Sequence, residues 1–263
     1  DFVELYNPTD EVVTLTGLRL RNEIITSGTL GTTVETEVVI LPNDYLVFTP
    51  DPDNIRQNYQ VPQPTKLIEN NLPSLGDEQG NITIYSPAFV LLDSLTYHED
   101  WHSRLLRSRD GVSLERLRAD APTQDAGNWS SAASTVGFAT PTGPNSQNRT
   151  TVAAPKEHFL VLPEKTFSPD GDGFQDVLEI RYLTDQAGYS GQLLIFDEQG
   201  RLIRQLNDLD LLAGSGSFLW DGTTDDGSRA RMGIYILYAE IFTPTGEVVQ
   251  EKHALVLAGR LGK

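Results

Sequence analysis

Short runs of Val, Ile, Leu, Thr and Tyr, each broken by Pro, Gly, Asn or Asp, recur along almost the whole chain. Phe2-Val3-Glu4-Leu5-Tyr6 runs into Asn7-Pro8-Thr9-Asp10, Val12-Val13-Thr14-Leu15 into Gly17, and Leu18-Arg19-Leu20 follows. Val38-Val39-Ile40-Leu41 stops at Pro42-Asn43, and Tyr45-Leu46-Val47-Phe48 stops at Thr49-Pro50-Asp51-Pro52. Ile82-Thr83-Ile84-Tyr85 and residues 90–97 continue the pattern. Runs this short are below the length at which a helix gains from an amphipathic face, and β-branched and aromatic residues suit a pleated, half-buried surface. Strands at this spacing predict an all-β sandwich or barrel. The best helix candidate is the short stretch at 54–59.

Residues 139–157 interrupt the pattern with small, polar and Pro residues that leave nothing to bury. Strands then resume at 177–182, 191–196, 202–206, 217–220, 234–242 and 248–256, with Glu198-Gln199-Gly200 and Pro244-Thr245-Gly246 as hairpin-type turns. The expected organisation is a β domain at 1–148, a linker at 149–157 and a second β domain at 158–263, with the boundary near Pro155. A chain of 263 residues has room for two domains, and 38% hydrophobic residues supply their cores and exclude wholesale disorder. No run of apolar residues reaches the roughly 18 that a membrane-spanning helix needs.

Asp and Glu number 37 against 20 Lys and Arg, a formal charge of −17 carried by both halves. That field repels phosphate backbones, so nucleic acid is excluded as the expected partner, while hard cations such as Ca²⁺ are attracted. The absence of cysteine excludes disulfides, thiolate zinc sites and cysteine nucleophiles. The chain opens Asp1-Phe2-Val3-Glu4, without Met or a signal segment, and reads as part of a longer protein.

Three constellations bear on chemistry. His98-Glu99-Asp100-Trp101-His102 matches H-E-x-x-H, which in zinc peptidases places two His on one helical face with Glu as general base. Here the preceding Leu92-Asp93-Ser94-Leu95-Thr96-Tyr97 alternates like a strand. The nearest downstream glutamate, Glu115, lies in another alternating run. A polar loop with a packed Trp101 is the favoured reading, and a metal-dependent hydrolase the alternative.

The second constellation is Phe167-Ser168-Pro169-Asp170-Gly171-Asp172-Gly173-Phe174-Gln175-Asp176. Asp170, Asp172 and Asp176, spaced by glycines, can fold carboxylate oxygens around calcium, although the distal Glu of an EF-hand is missing. A tight Asp-Gly turn held by side-chain-to-backbone hydrogen bonds is the competing reading, and the residues alone leave both open. The third, Trp220-Asp221-Gly222-Thr223-Thr224-Asp225-Asp226-Gly227, reads as a buried Trp ending a strand, followed by two Asp-Gly turns. No nucleophile elbow, P-loop or dinucleotide fingerprint is present.

The first module resembles the bacterial lamin-tail domain, an immunoglobulin-like β-sandwich. The resemblance rests on Phe2-Val3-Glu4-Leu5-Tyr6-Asn7-Pro8-Thr9-Asp10, Leu15-Thr16-Gly17-Leu18, Gly111-Val112-Ser113-Leu114-Glu115-Arg116, Asn128-Trp129-Ser130-Ser131-Ala132 and the closing Ala139-Thr140-Pro141-Thr142-Gly143-Pro144-Asn145-Ser146. Members of that family begin one strand earlier, so the resemblance implies that a first strand is missing here. The second module resembles the immunoglobulin-like C-terminal domains of exported Bacteroidetes proteins, a group including gliding-motility-associated and flagellar-hook-capping-like domains. It does so through Phe167-Ser168-Pro169-Asp170-Gly171-Asp172-Gly173, Ile195-Phe196-Asp197-Glu198-Gln199-Gly200, Trp220-Asp221-Gly222-Thr223, Gly233-Ile234-Tyr235-Ile236 and Leu255-Val256-Leu257. That family usually has Asn where Asp170 and Gln175 stand, so its pattern implies a fixed turn more firmly than a metal.

The combined expectation is two immunoglobulin-like β-sandwiches in tandem, forming the non-catalytic C-terminal region of a longer exported bacterial protein. The implied roles are surface attachment, partner binding or type IX secretion sorting. The implied location is extracellular or at the cell surface, associated with the outer membrane. Its partners would be another protein, a cell-surface component or the secretion machinery, with no membrane-spanning segment, and calcium at Asp170, Asp172 and Asp176 is the only cofactor considered. The alternatives are the His98-Glu99-His102 hydrolase and a structural subunit of an outer-membrane assembly.

Overall fold

The computed structural model describes residues 1–148 and 158–259. The linker expected at 149–157 and its boundary near Pro155 lie outside the described residues. The chain divides into two compact units, Asp1–Thr150 and Thr151–Lys263.

The first unit contains β1 (Val3–Asn7), β2 (Val13–Thr14), β3 (Arg19–Arg21), β4 (Gly31–Thr33), β5 (Val39–Ile40), β6 (Asp44–Thr49), α1 (Pro52–Asn58), β7 (Leu67–Glu69), β8 (Gln79–Tyr85), β9 (Leu91–His98), β10 (Leu114–Arg116) and β11 (Trp129–Ser131). They form one sheet in the order β1-β6-β7, another in the order β4-β3-β8-β9, and the two-stranded pairs β2-β5 and β10-β11. Period-two alternation explains why β6 sits at the centre. Leu46 and Phe48 point into a core shared with Leu15, Leu18, Leu20, Val34 and Ile40. Val47 points the other way, onto Ile55 and Leu67. Both faces of β6 are therefore covered, the second by α1. That helix starts at Pro52 because the Asp51 carboxylate accepts the Asn54 N–H at 2.9 Å and Pro fits the first helical turn.

The second unit contains β12 (Leu160–Val161), β13 (Thr166–Phe167), β14 (Leu178–Leu183), β15 (Ser190–Asp197), β16 (Leu202–Gln205), β17 (Asp210–Leu211), β18 (Ser215–Trp220), β19 (Gly233–Phe242) and β20 (Val248–Leu257). One sheet runs β12-β14-β18. The other runs β13-β20-β19-β15-β16, with β17 also on β15. Alternate residues face inward: Leu178, Ile180 and Tyr182 from the smaller sheet, and Leu193, Ile195, Leu237, Ala239, Ile241, Leu255 and Leu257 from the larger. Trp220 closes one end of this core, 5.1 Å from the rings of both Phe167 and Tyr235. Its indole N–H still reaches the Thr223 carbonyl at 2.8 Å, so burial leaves no donor unpaired. Burying a side chain of this kind is worth about 3 kcal/mol or more.

The chain is all-β, built as two immunoglobulin-like sandwiches in tandem, with α1 the single α-helix among the described residues.

Candidate functional site

The Asp170–Asp176 loop joins β13 to β14 and is fixed at its base by packing. Gly222, just after Trp220, has φ +76°, and a Cβ there would stand 2.9 Å from Pro169 Cγ and 3.1 Å from Leu257 Cδ1. Only glycine accepts both that conformation and that approach. Arg229 Nη1 donates to the Pro169 carbonyl at 3.1 Å, and the Ser168 N–H donates to Gln175 O at 2.8 Å across the loop mouth. The second and third sequence motifs are thus one local unit, in which the Trp220-Asp221-Gly222 turn seats the Asp loop.

Within the loop the Asp176 carboxylate accepts the Gly171 and Gly173 N–H groups, each at 2.7 Å, one on each oxygen. Those two backbone donors, Gly171 first, hold its carboxyl below the usual range. Asp170 Oδ1 accepts the Asp172 N–H at 3.2 Å, and Asp172 Oδ1 accepts the Phe174 N–H at 2.8 Å. The turn geometry expected from sequence is therefore present. The structure also brings the three carboxylates together, with one oxygen from each lying within 4.8 Å of the others. Calcium–oxygen bonds of about 2.3–2.6 Å place ligands on opposite sides of an ion about 5 Å apart, so this donor set fits one hard cation. Each carboxylate keeps lone pairs beyond those used by the backbone.

The third cluster is occupied internally. Asp221 Oδ1 accepts the Thr223 N–H at 3.0 Å and its hydroxyl at 2.6 Å. Asp226 is bound by Ser228 and Thr224, whose hydroxyls lower its carboxyl to about 2. Asp225 accepts the Gln205 N–H at 3.0 Å.

The His98-Glu99-x-x-His102 match does not form the geometry of a zinc peptidase. His98 ends β9, Glu99–Trp101 is a single 3-10 turn, and His102 is extended, so the two imidazoles do not share a helical face. His98 Nδ1 accepts the Asp100 N–H at 3.1 Å, Glu99 pairs with Arg109, and His102 Nδ1 meets Ser131 Oγ at 2.9 Å. Burial, with Arg109 nearby, lowers the His102 imidazole below its ordinary value. The local reason is the strand that precedes the motif: β9 carries extended backbone up to His98.

A second pair of carboxylates was not legible in the sequence. Glu4 on β1 accepts the Thr142 N–H at 2.7 Å. Glu115 on β10 accepts the Thr140 hydroxyl at 2.6 Å, the Ser146 hydroxyl at 2.7 Å and the Gln147 N–H at 3.2 Å. Together they hold the closing segment 140–147 against the first unit. Burial pushes the Glu4 carboxyl up to about 8 against the Thr142 hydrogen bond, and Glu115 adds to the rise. Burial raises Glu115 as well, opposed by its hydroxyl and backbone donors. Spent on internal hydrogen bonds, these carboxylates are structural.

The family model of the FlgD Ig-like domain matches residues 168–251, within the second unit. No curated protein matches the chain. Among solved structures, FlgD from P. aeruginosa is 22% identical over 31% of this chain and 62% of its own, with a TM-score of 0.26. Latent dimeric PorU from Porphyromonas gingivalis is 11% identical over 98% of this chain and 18% of its own, with a TM-score of 0.31. PorZ, described as an essential surface component of the type IX secretion system of Porphyromonas gingivalis, is 12% identical over 87% of this chain and 28% of its own, with a TM-score of 0.26. The chain thus spans less than two thirds of the length of each of these three proteins. The second unit is an immunoglobulin-like domain similar to that of FlgD.

Proposed function

We propose that this chain is a non-catalytic attachment and sorting region of an exported bacterial protein, acting at the cell surface through its second unit. The observation that carries the reading is the match of residues 168–251 to the FlgD Ig-like domain, a family whose model describes a folding module. The internal use of His98, Glu99 and His102 supports it too, since the nearest approach to a catalytic motif is bound up in strand-end hydrogen bonds. The finer assignment, type IX secretion sorting in a Bacteroidetes host, rests on the sequence resemblance of the second module to C-terminal domains of such proteins. The first unit, by the same kind of resemblance, is a lamin-tail-like sandwich serving as a partner-binding or spacer module. Deleting residues 158–263 from the exported protein should abolish its appearance at the cell surface while leaving its synthesis unchanged. Normal surface delivery of that truncation would remove the sorting role.

We further propose calcium at Asp170, Asp172 and Asp176 as a structural ion of the loop, supported by oxygens that lie within 4.8 Å of one another. Three carboxylates this close repel unless neutralised, so a bound cation would stabilise the loop. Excess Ca²⁺ should raise the melting temperature relative to EDTA, and Asp172→Asn should erase that difference. An identical melt in Ca²⁺ and EDTA would exclude the site.

A further inference from the structure

The turn between β8 and β9, with the first two residues of β9, exposes six consecutive residues, Pro87, Ala88, Phe89, Val90, Leu91 and Leu92, none of them polar. Phe89, Val90, Leu91 and Leu92 are each more than half exposed. Because successive residues of extended chain point to opposite faces, this tip is apolar on both sides. Its backbone is also unusual. The Phe89 N–H donates to Ser86 O at 2.9 Å and the Ser86 N–H to Val90 O at 2.8 Å, closing a turn with Phe89 at φ +61°. Glycine takes that left-handed conformation without steric cost, whereas a bulky residue is strained there. The Phe89 ring lies 6.0 Å from that of Tyr85, and a bulky apolar residue kept half-exposed at a strained backbone position directs attention to binding.

Pairing with another strand is not what this region is built for. β9 is the edge of its sheet, but the Thr96 N–H and carbonyl are bonded by the Gln124 side chain at 2.9 and 2.8 Å, and the Ser94 N–H by Asp93 at 2.9 Å. The edge is closed by the protein's own side chains below the tip.

At the base of the tip lies positive charge. The Arg19 guanidinium stacks on the Phe89 ring, 3.9 Å from its centroid, and Arg19 and Arg21 line an open concavity with Leu30, Gly31 and Thr33. Arg19 forms no ion pair and its buried Nε has no hydrogen-bond partner among the described residues, whereas Arg21 Nε pairs with Glu23 at 2.9 Å. An apolar tip flanked by the unpaired Arg19 guanidinium matches the layering of a phospholipid leaflet, acyl chains inside a shell of phosphodiesters. Three residues of extended chain reach about 10 Å, and interfacial segments sink about 5–10 Å into the headgroup–acyl boundary. A protein groove would cover one face of the hairpin, while a leaflet surrounds both. With a chain charge of −17, anionic leaflets repel the rest of the molecule, which selects a zwitterionic surface.

We infer that residues 87–92 form a membrane-contacting loop that inserts into a zwitterionic phospholipid leaflet, with Arg19 on the lipid phosphates. The inference concerns the first unit and stands independently of the sorting role of the second. The test is co-sedimentation of the full chain with sucrose-loaded phosphatidylcholine vesicles. The unaltered chain should partition onto them. The triple variant Val90→Ser, Leu91→Ser, Leu92→Ser should lose at least about tenfold in partitioning, since three apolar side chains leave the leaflet. Its melting temperature should stay unchanged, because the three are exposed. Phe89→Gly should also weaken partitioning, since a further apolar side chain leaves the leaflet. Absence of the unaltered chain from the vesicle pellet would overturn the inference, as would equal partitioning of the triple variant. Self-association of the unaltered chain that the triple variant abolishes, without vesicle binding, would assign the tip to a protein contact instead.

Discussion

Glu4 is half-buried on β1, where its carboxyl accepts the Thr142 N–H. Its carboxyl is raised to about 8, so between 4.5 and 8 the folded state holds a proton that the unfolded chain has released. The folded state then binds more protons than the unfolded one, and stability falls as pH rises through that window. Glu4→Gln keeps an acceptor for the Thr142 N–H and removes the titration. The variant should flatten the pH dependence, with a higher denaturant midpoint than the parent above pH 8 and little difference below pH 4.5. Equal pH slopes for the two proteins would show that Glu4 is not enclosed as described. This pair of acids illustrates what residue order hides. Glu4 and Glu115 meet only because β1, β10 and the 140–147 segment converge, and nothing local in either strand announces burial. The Asp loop is the opposite case: Asp170, Asp172 and Asp176 are neighbours in sequence, and Gly171 and Gly173 take the positive φ that lets the loop fold tightly.

At the scale of elements, the longer strands were legible because alternation has enough residues to declare itself. β14 reads Leu-Glu-Ile-Arg-Tyr-Leu and buries Leu178, Ile180 and Tyr182. β4, β7, β12, β13 and β17 were not, since two or three residues carry no period and become strands only when a partner supplies the ladder. The helix starts at Pro52, ahead of the 54–59 expected, because capping by Asp51 sets the boundary rather than hydrophobic pattern. The run expected at 90–97 is β9, which begins at Leu91 although Val90-Leu91-Leu92 lacks the alternation of a half-buried strand. Edge protection is itself an element-scale device. Gln124 substitutes for a neighbouring strand by offering both amide groups to Thr96. Gln124→Ala should leave that ladder position open and produce concentration-dependent self-association in sedimentation velocity runs. A variant that stays monomeric at every concentration would show that the edge is guarded by other means.

Across the whole molecule, two compact units each carry their own core under an acidic charge of −17. The second unit has its own closed core, from Leu160 to Leu257, and carries the match to the FlgD Ig-like domain. Neither the charge nor the strand pattern names a function; the motifs around Asp170 and Trp220 form one local unit, and the proposed sorting role rests on the sequence resemblance of the second module. The most direct measurement is delivery of a passenger: residues 158–263 fused behind an inert periplasmic reporter in a bacterium with an active type IX system. The account predicts that the reporter reaches the cell surface or the medium, and remains in the periplasm when the system is inactivated. A reporter held in the periplasm despite an active system and a folded fusion would contradict the sorting role.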